Sequence, residues 1–305
     1  MLAAKCPRGM PQKDFLGLLR LPLWETPKID GIRCLTVDLP GDRSSWYSLP
    51  ITRHCKPQPN DHVRRMIGEN CPYGLDGELV VLNEDGDIRG YYETSSELLS
   101  YDGEPNFQFL VFDYITPETR LDGYLKRLEQ LRALSLPAFC RVLEPAKIST
   151  LDELMARVNQ RMDEGFEGSC LRTAIHEYKF GRSSLRQQGL VAVKLYVDSD
   201  ADVTDYYQLM RNTGEAIINP QGHKYRRRRA EDLVPDDLLG GLIGKDVDTG
   251  VEVRVGSGFK MAQRAELWAQ RATLKGRRFK YKHQPFGALE NGKPRQPTFI
   301  GFREK

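Results

Sequence analysis

The sequence is poor in histidine, in paired cysteine, in long apolar runs and in excess charge. Each shortage removes a class of function. Five histidines are spread over 305 residues with no two at ligand spacing, which leaves histidine catalysis and histidine metal sites without support. Six cysteines stand at 6, 34, 55, 71, 140 and 170, with no C-x-x-C and no Cys/His cluster at zinc spacing. A disulfide framework or zinc site is therefore disfavoured, and reduced, mostly buried thiols are expected. The longest apolar runs, such as Leu79 to Leu82 and Phe109 to Phe112, are far too short to span a bilayer. The opening "MLAAKCPRGMPQKD" has no apolar core of signal-peptide length. A cytoplasmic protein without a membrane partner is expected. The 45 Lys and Arg against 42 Asp and Glu give a net charge of +3, which permits a nucleic-acid partner without requiring one.

What is present is a soluble globular composition, 40% hydrophobic and 29% charged. At roughly 100–200 residues per domain the length suggests two domains. Strand patterns run over 33–38, 77–82, 107–114, 191–197 and 251–255. A helix is expected over 124–134, where Leu125, Leu128, Leu131 and Leu134 recur in a charged background. A second is expected in "STLDELMARVNQRMDEG", capped by Ser149 or Thr150 and closed by Gly165. After about residue 203 the chain becomes strand- and turn-rich, with "DTG", "GSG" and "ENGKP" as turns. Arg226 to Arg229 is the dense charge block.

The stretch "ETPKIDGIRCL", residues 25 to 35, poses the chemical question. A lysine amine attacks only when neutral, so a nucleophilic Lys28 needs its pKa lowered by burial or by cations such as Arg33 and Lys194. Asp30 could orient the amine, and Gly31 could let the backbone turn tightly beside a bulky substrate. Alone, the stretch reads better as a strand followed by a charged turn, with Lys28 a surface lysine before Asp-Gly. Further on, "LDGELVVL" places Asp76 and Glu78 on one face of a strand, suited to a divalent metal or a ribose hydroxyl, or to a solvated hairpin end. "FLVFDYI" offers Phe112 as a stacking platform or as a core aromatic. "EGFEGSCLR" carries Glu167 and Arg172, and "LVAVKLY" ends an apolar run on Lys194, for which phosphate is a natural partner.

In this order the motifs resemble the covalent nucleotidyltransferases, and within them the small two-domain ATP-dependent DNA ligases of bacteriophages. The resemblance extends to "YKFGRSSLRQQGLVAVKLY", "MRNTGEAI", "DTGVEVRVGSGF" and "GKPRQPTFIGFR". It implies an α+β fold: a nucleotidyltransferase (adenylation) domain over 1–202, with antiparallel sheets and flanking helices, then an OB-fold β-barrel DNA-binding domain over 203–305. It implies that Lys28 attacks the α-phosphate of ATP to give lysyl-AMP. AMP would then pass to the 5′-phosphate of a nick, and the 3′-hydroxyl would displace it. Thr26, Arg33, Arg53, Glu78, Phe112 and Lys194 are the implied nucleotide contacts, with Phe112 stacking on adenine and Lys194 holding the α-phosphate. Glu78 and Glu167 are the implied Mg²⁺ ligands. Asp30, Gly31, Asp76 and Arg172 are supporting residues.

In the barrel, Lys260, Arg264, Lys280, Lys282 and Arg295 are expected to contact DNA phosphates, among other cations such as Lys275, Arg277 and Arg278. Nicked duplex DNA is the expected partner and a monomer the expected state. RNA ligase or capping-type nucleotidyl transfer, and a non-catalytic DNA-binding protein on the same scaffold, are the alternatives. Four departures from the family pattern stand out. Thr26, with Glu25 one further back, occupies the place of the adenine-reading glutamate; Ala192 replaces the first lysine of a K-x-K pair. The ending "FREK" fits R-x-D-K loosely, through Arg303 and Lys305. Lys28 lies so near the start that grip on DNA is expected from the two domains themselves.

Overall fold

A computed structural model describes residues 1–7, 10, 12–38, 47–218, 224–284 and 292–303. Lys305 and the first two residues of the "ENGKP" turn lie outside the described residues. The chain divides into two compact units, Met1–Lys194 and Leu195–Lys305.

The first unit runs α1 (Gln12–Gly17), β1 (Leu23–Pro27), β2 (Ile32–Val37), β3 (Leu49–Thr52), α2 (Asp61–Asn70), β4 (Leu75–Val81) and α3 (Tyr91–Leu99). It continues with β5 (Phe107–Tyr114), α4 (Tyr124–Arg132), β6 (Cys140–Val142), β7 (Ala146–Ile148), α5 (Leu151–Asp163), β8 (Ser169–Arg172) and β9 (Val191–Val193). Two sheets result, ordered β3-β2-β4-β5-β6 and β7-β1-β8-β9. All named pairings are antiparallel except β5 with β6, which is parallel.

Local chemistry sets the ends of the helices. Thr150 caps α5 by accepting from the Glu153 N–H at 3.1 Å, while Glu153 accepts from the Thr150 N–H at 3.3 Å, so the capping box falls on the threonine. Asn60 caps α2 by accepting from the Val63 N–H at 2.9 Å. Leu128 and Leu131 of α4 enter the core beneath the five-stranded sheet, with Leu75, Leu79, Phe109 and Val111. The short segment Lys28–Gly31 joins β1 of one sheet to β2 of the other, so Lys28 stands where the chain crosses between sheets.

The second unit comprises β10 (Val197–Asn212), β11 (Ala216–Ile218), β12 (Lys224–Arg226), β13 (Leu233–Asp246), β14 (Glu252–Val255), α6 (Met261–Ala269), β15 (Arg278–Gln284) and β16 (Arg295–Phe302). Its five-stranded sheet is ordered β14-β13-β10-β15-β16, and a bridge between Ser257 and Thr298 brings the two edges together. Phe259, Phe279, Tyr281 and Phe299 fill the interior with Leu239, Leu242, Val253 and Val255. This is the five-stranded barrel plan of an OB-like fold.

The strand β10 begins at Val197 and continues to Asn212, so the 202/203 boundary expected from sequence falls inside one strand. No residue of β10 beyond Val203, and none of β13 before Leu239, is buried. The far end of this ribbon carries the β11–β12 hairpin and the Arg226–Arg229 run. Among the described residues no helix is long and apolar enough to cross a membrane.

Candidate functional site

The smaller sheet of the first unit brings Lys28, Glu167 and Lys194 together from the ends of β1, β8 and β9. Two backbone bonds lock the loops: Lys28 N–H donates to the Gly168 carbonyl at 2.8 Å, and Glu167 N–H to the Lys28 carbonyl at 3.3 Å. Gly168 has φ +134°, and a Cβ there would collide with the Val193 carbonyl oxygen, so glycine is required where the loops cross. The Glu167 carboxylate then bridges two ammonium groups. One oxygen pairs with Lys28, and the other accepts from Lys194 Nζ at 2.8 Å. The carboxylate is largely buried, and both lysines are partly so.

This arrangement corrects the expectation that Lys28 would be the depressed lysine. Burial favours its neutral form, but the Cys170 sulfur, Glu167 and Glu78 oppose burial, and the net pKa is raised. Burial also raises the Cys170 pKa, so its thiol is neutral near pH 7 and Glu167 is the working counter-charge. Lys194 moves the other way: burial first, then the Lys28 charge, lower its pKa. The pair of cations holds Glu167 below the usual carboxylate range against the opposing effect of burial.

The larger sheet supplies a second layer. Arg33 on β2 faces Glu78 on β4 in register. Its guanidinium forks onto Asp76 with both nitrogen–oxygen distances at 2.5 Å. Asp76 also accepts from the Tyr178 hydroxyl at 2.8 Å, and the Met1 amino group lies 4.0 Å away. Asp76 is thus fully committed and buried. The two acids expected to converge as ligands have different fates, because Asp76 neutralises Arg33 while Glu78 stays half-buried. Burial pushes the Glu78 carboxyl up to about 7, against the pull of Arg33 and Lys28. Gly31 is needed for close packing more than for a turn: a Cβ would collide with the Leu79 carbonyl oxygen on β4. Asp30 is half-buried, and its charge is felt by both Glu78 and Lys194.

Phe112, the expected stacking platform, is half-buried, with the Arg33 and Arg172 guanidiniums each 4.9 Å from its ring centroid. Arg172 also lies 4.9 Å from the Tyr124 ring, is 4% exposed, and its Nη1 has no hydrogen-bond partner. Thr26 is buried within the sheet opposite Cys170. Its neighbour Glu25 is fully buried and held by Arg161 through two 3.1 Å bonds and by the Ser169 hydroxyl at 2.8 Å. The Glu25 carboxylate braces β1 against α5 and β8.

Arg53 lies exposed in the turn after β3. After burial, the nearby charges of Arg182, Arg53 and Lys28 lower the pKa of Lys5, so these four cations share one neighbourhood. Sequence reasoning missed Lys5 and Arg182. The structure unites them because the first residues run as an added strand: Leu2 N–H donates to Gly181 O at 2.7 Å and Ala4 N–H to Leu190 O at 2.9 Å. No local spelling around either residue announces that pairing.

In the barrel, the expected DNA contacts divide. Arg264 donates to the Leu239, Gly240 and Gly256 carbonyls at 2.5, 2.7 and 2.7 Å, which makes it an internal brace. Lys280 pairs with Asp198 at 2.6 Å, and Lys282 sits 5.2 Å from the Tyr196 ring. Lys260 is exposed at the start of α6, and Arg295 is half-buried on β16. Arg278 and Arg303 fork onto Asp202 and Asp200, and Lys275 pairs with Asp205. Acidic residues of β10 therefore neutralise much of the expected positive surface.

Residues 235–303 match the family model described as a DNA ligase OB-like domain. The structure of Chlorella virus DNA ligase-adenylate aligns with 99% of this chain and 98% of its own, at 24% identity and TM-score 0.51. The chain has a DNA ligase fold. A structure from work on DNA binding by Lig E DNA ligases agrees, covering 92% of this chain and 93% of its own at 23% identity and TM-score 0.66. No curated protein matches the sequence. The Lys28 cluster and Phe112 both fall within the first unit, the cluster at strand ends of the smaller sheet and Phe112 on β5 of the larger.

Proposed function

We propose that the protein is an ATP-dependent DNA ligase that seals nicks through a Lys28-AMP intermediate. The observation that carries this reading is the convergence of Lys28, Glu167 and Lys194 from three strand ends. It supplies a nucleophile, a carboxylate and a second cation in one ion-paired cluster. The Lys28 ammonium must lose a proton before it attacks, and pairing with Glu167 opposes that loss, so nucleotide binding has to loosen the pair. Lys194 then meets the negative charge that grows on the α-phosphate, as positioned cations do in phosphoryl transfer.

Arg33 and Arg172 both lie over the Phe112 ring, and a stacked adenine would compete with a guanidinium for it. The donor set fits a hard divalent cation, since Glu78 and Glu167 offer carboxylate oxygens and substrate phosphates complete the shell in such sites. Among the described residues no group of three or more acidic, histidine or cysteine side chains forms a ready metal cage. Mg²⁺, when bound, would neutralise phosphate charge; Glu78 and Glu167 would hold it.

Later steps need in-line positioning of a 5′-phosphate and a 3′-hydroxyl. The cations Lys5, Arg53 and Arg182 beside Lys28 suit the phosphate. The exposed arginines on the β11–β12 ribbon suit duplex backbone without base reading. The test is α-labelled ATP with Mg²⁺, followed by a chase with nicked duplex DNA. The expected result is covalent label on the protein, absent in Lys28→Ala and discharged by the nick as AMP with a sealed strand. Label that persists in Lys28→Ala overturns the assignment of the nucleophile. Label discharged only by RNA ends indicates an RNA ligase.

A further inference from the structure

We propose that Cys71 and Cys140 are a thiol pair that closes to an intramolecular disulfide when the protein meets a hydroperoxide. Their sulfurs lie 3.5 Å apart although the residues are separated by 69 positions. Cys71 and Cys140 are both reduced, and their sulfurs lie within hydrogen-bonding reach of each other.

The surroundings favour closure over damage. Cys71 ends α2 in extended conformation, its N–H bonded to the Ile67 carbonyl, and its side chain is fully buried. Cys140 opens β6, a three-residue strand at the edge of its sheet, and is partly exposed. Cys140 is therefore the more accessible of the two, although the Cys71 contact and burial push its thiol pKa up, while Cys71 lies in a dry core with Cys34, Ile67 and Phe109. A short edge strand hydrogen-bonded on one side only yields more readily than a central one, and the sulfurs must approach to a bonding distance of about 2.05 Å.

The chemistry balances with the peroxide as two-electron oxidant. The Cys140 thiol takes one oxygen atom, giving a sulfenic acid and an alcohol (water, for hydrogen peroxide). The Cys71 thiol then attacks that sulfur, the S–S bond forms, and the sulfenic oxygen leaves as water with the thiol proton. A dithiol reductant reverses the change.

The experiment treats the full chain, reduced and then freed of reductant, with hydrogen peroxide. The protein is alkylated without reduction, digested and analysed by mass spectrometry. The expected product is a Cys71–Cys140 cross-linked peptide pair, with the exposed Cys6 and Cys55 alkylated or separately oxidised. Closing a loop of this length should raise Tm by roughly 10 °C, reversibly with dithiothreitol. A Cys34–Cys71 cross-link, or sulfinic acid on Cys140 with Cys71 still alkylatable after denaturation, overturns the proposal. Full recovery of both residues as free thiols also overturns it. The readout on the native sequence requires no variant to fold.

Discussion

The Nζ of Lys194 lies 2.8 Å from one oxygen of Glu167, and the other oxygen of that carboxylate holds Lys28. One buried negative charge thus serves two positive ones. The pair stabilises the fold fully above the ordinary glutamate value of 4.5, and that contribution is lost as pH falls through the depressed pKa of Glu167. On the basic side it is lost as pH rises through the raised pKa of Lys28. Glu167→Gln removes the counter-charge, so Lys28 should lose its proton more easily. With an amine-modifying reagent and peptide mass spectrometry near pH 8, Lys28 in the variant should react clearly faster than in the native protein, because more of it is neutral. An unchanged Lys28 rate would show that the ion pair does not set its protonation.

Glu78 gives a prediction of opposite sign. Burial raises its pKa from 4.5 to about 7, so its folded-state proton is held more tightly than its unfolded-state one. The stability this brings is complete below the unfolded value and disappears as pH rises through about 7. The native protein, with a chelator present, should lose roughly 2–3 kcal/mol between about pH 5 and pH 8 from this group. Glu78→Gln should flatten that part of the profile. Calorimetric Tm values across the range check it, and parallel native and variant curves would refute it.

Arg127 and Asp113 form a deeply buried ion pair in the first unit. Arg127 is 1% exposed, and its guanidinium meets Asp113 at 2.7 and 3.0 Å. It also donates to the Asp122 and His176 carbonyls at 2.5 and 3.1 Å, tying α4 to two loops. Removing either partner leaves a buried charge alone, so Asp113→Ala and Arg127→Met should each cost about 3–5 kcal/mol. The double variant should cost clearly less than the sum of the two. Urea midpoints of the three proteins measure the coupling.

These residues also show what the sequence could and could not disclose. The strand at 107–114 and the helix from Tyr124 follow from apolar spacing, and β5 and α4 occupy those places. The strand expected over 191–197 instead stops at Val193, and a new strand starts at Val197 across the division between units. Alternation cannot register a change of domain within an apolar run. Lys28, Glu167 and Lys194 stood out in the sequence as charged residues at the ends of apolar or glycine-marked stretches, and the structure brings these three together. The choice between Asp76 and Glu78 was not legible. Both lie on β4, and only the position of Arg33 and Tyr178 decides which acid is neutralised. Glu25 was likewise opaque, since its partner Arg161 is 136 residues away.

Arg264 and the arginines of the ribbon separate two meanings of positive charge in the barrel. Arg264 spends its donors on three backbone carbonyls of β13 and the turn after β14. Arg264→Ala should therefore unfold the second unit at lower urea, by roughly 2–3 kcal/mol, from the orphaned acceptors and weakened packing. Arg227 and Arg228 are exposed at the end of a ribbon that buries nothing beyond Val203. Changing both to alanine should leave the urea midpoint within about 0.5 kcal/mol of native. It should weaken binding to nicked duplex and lower the slope of log affinity against log salt by about 0.9 for each phosphate no longer neutralised. Fluorescence anisotropy at several salt concentrations reads the slope directly. An unchanged slope would place the ribbon away from the DNA. A collapsed slope in Arg264→Ala with native stability would mean that its carbonyl bonds are dispensable and its charge faces the DNA.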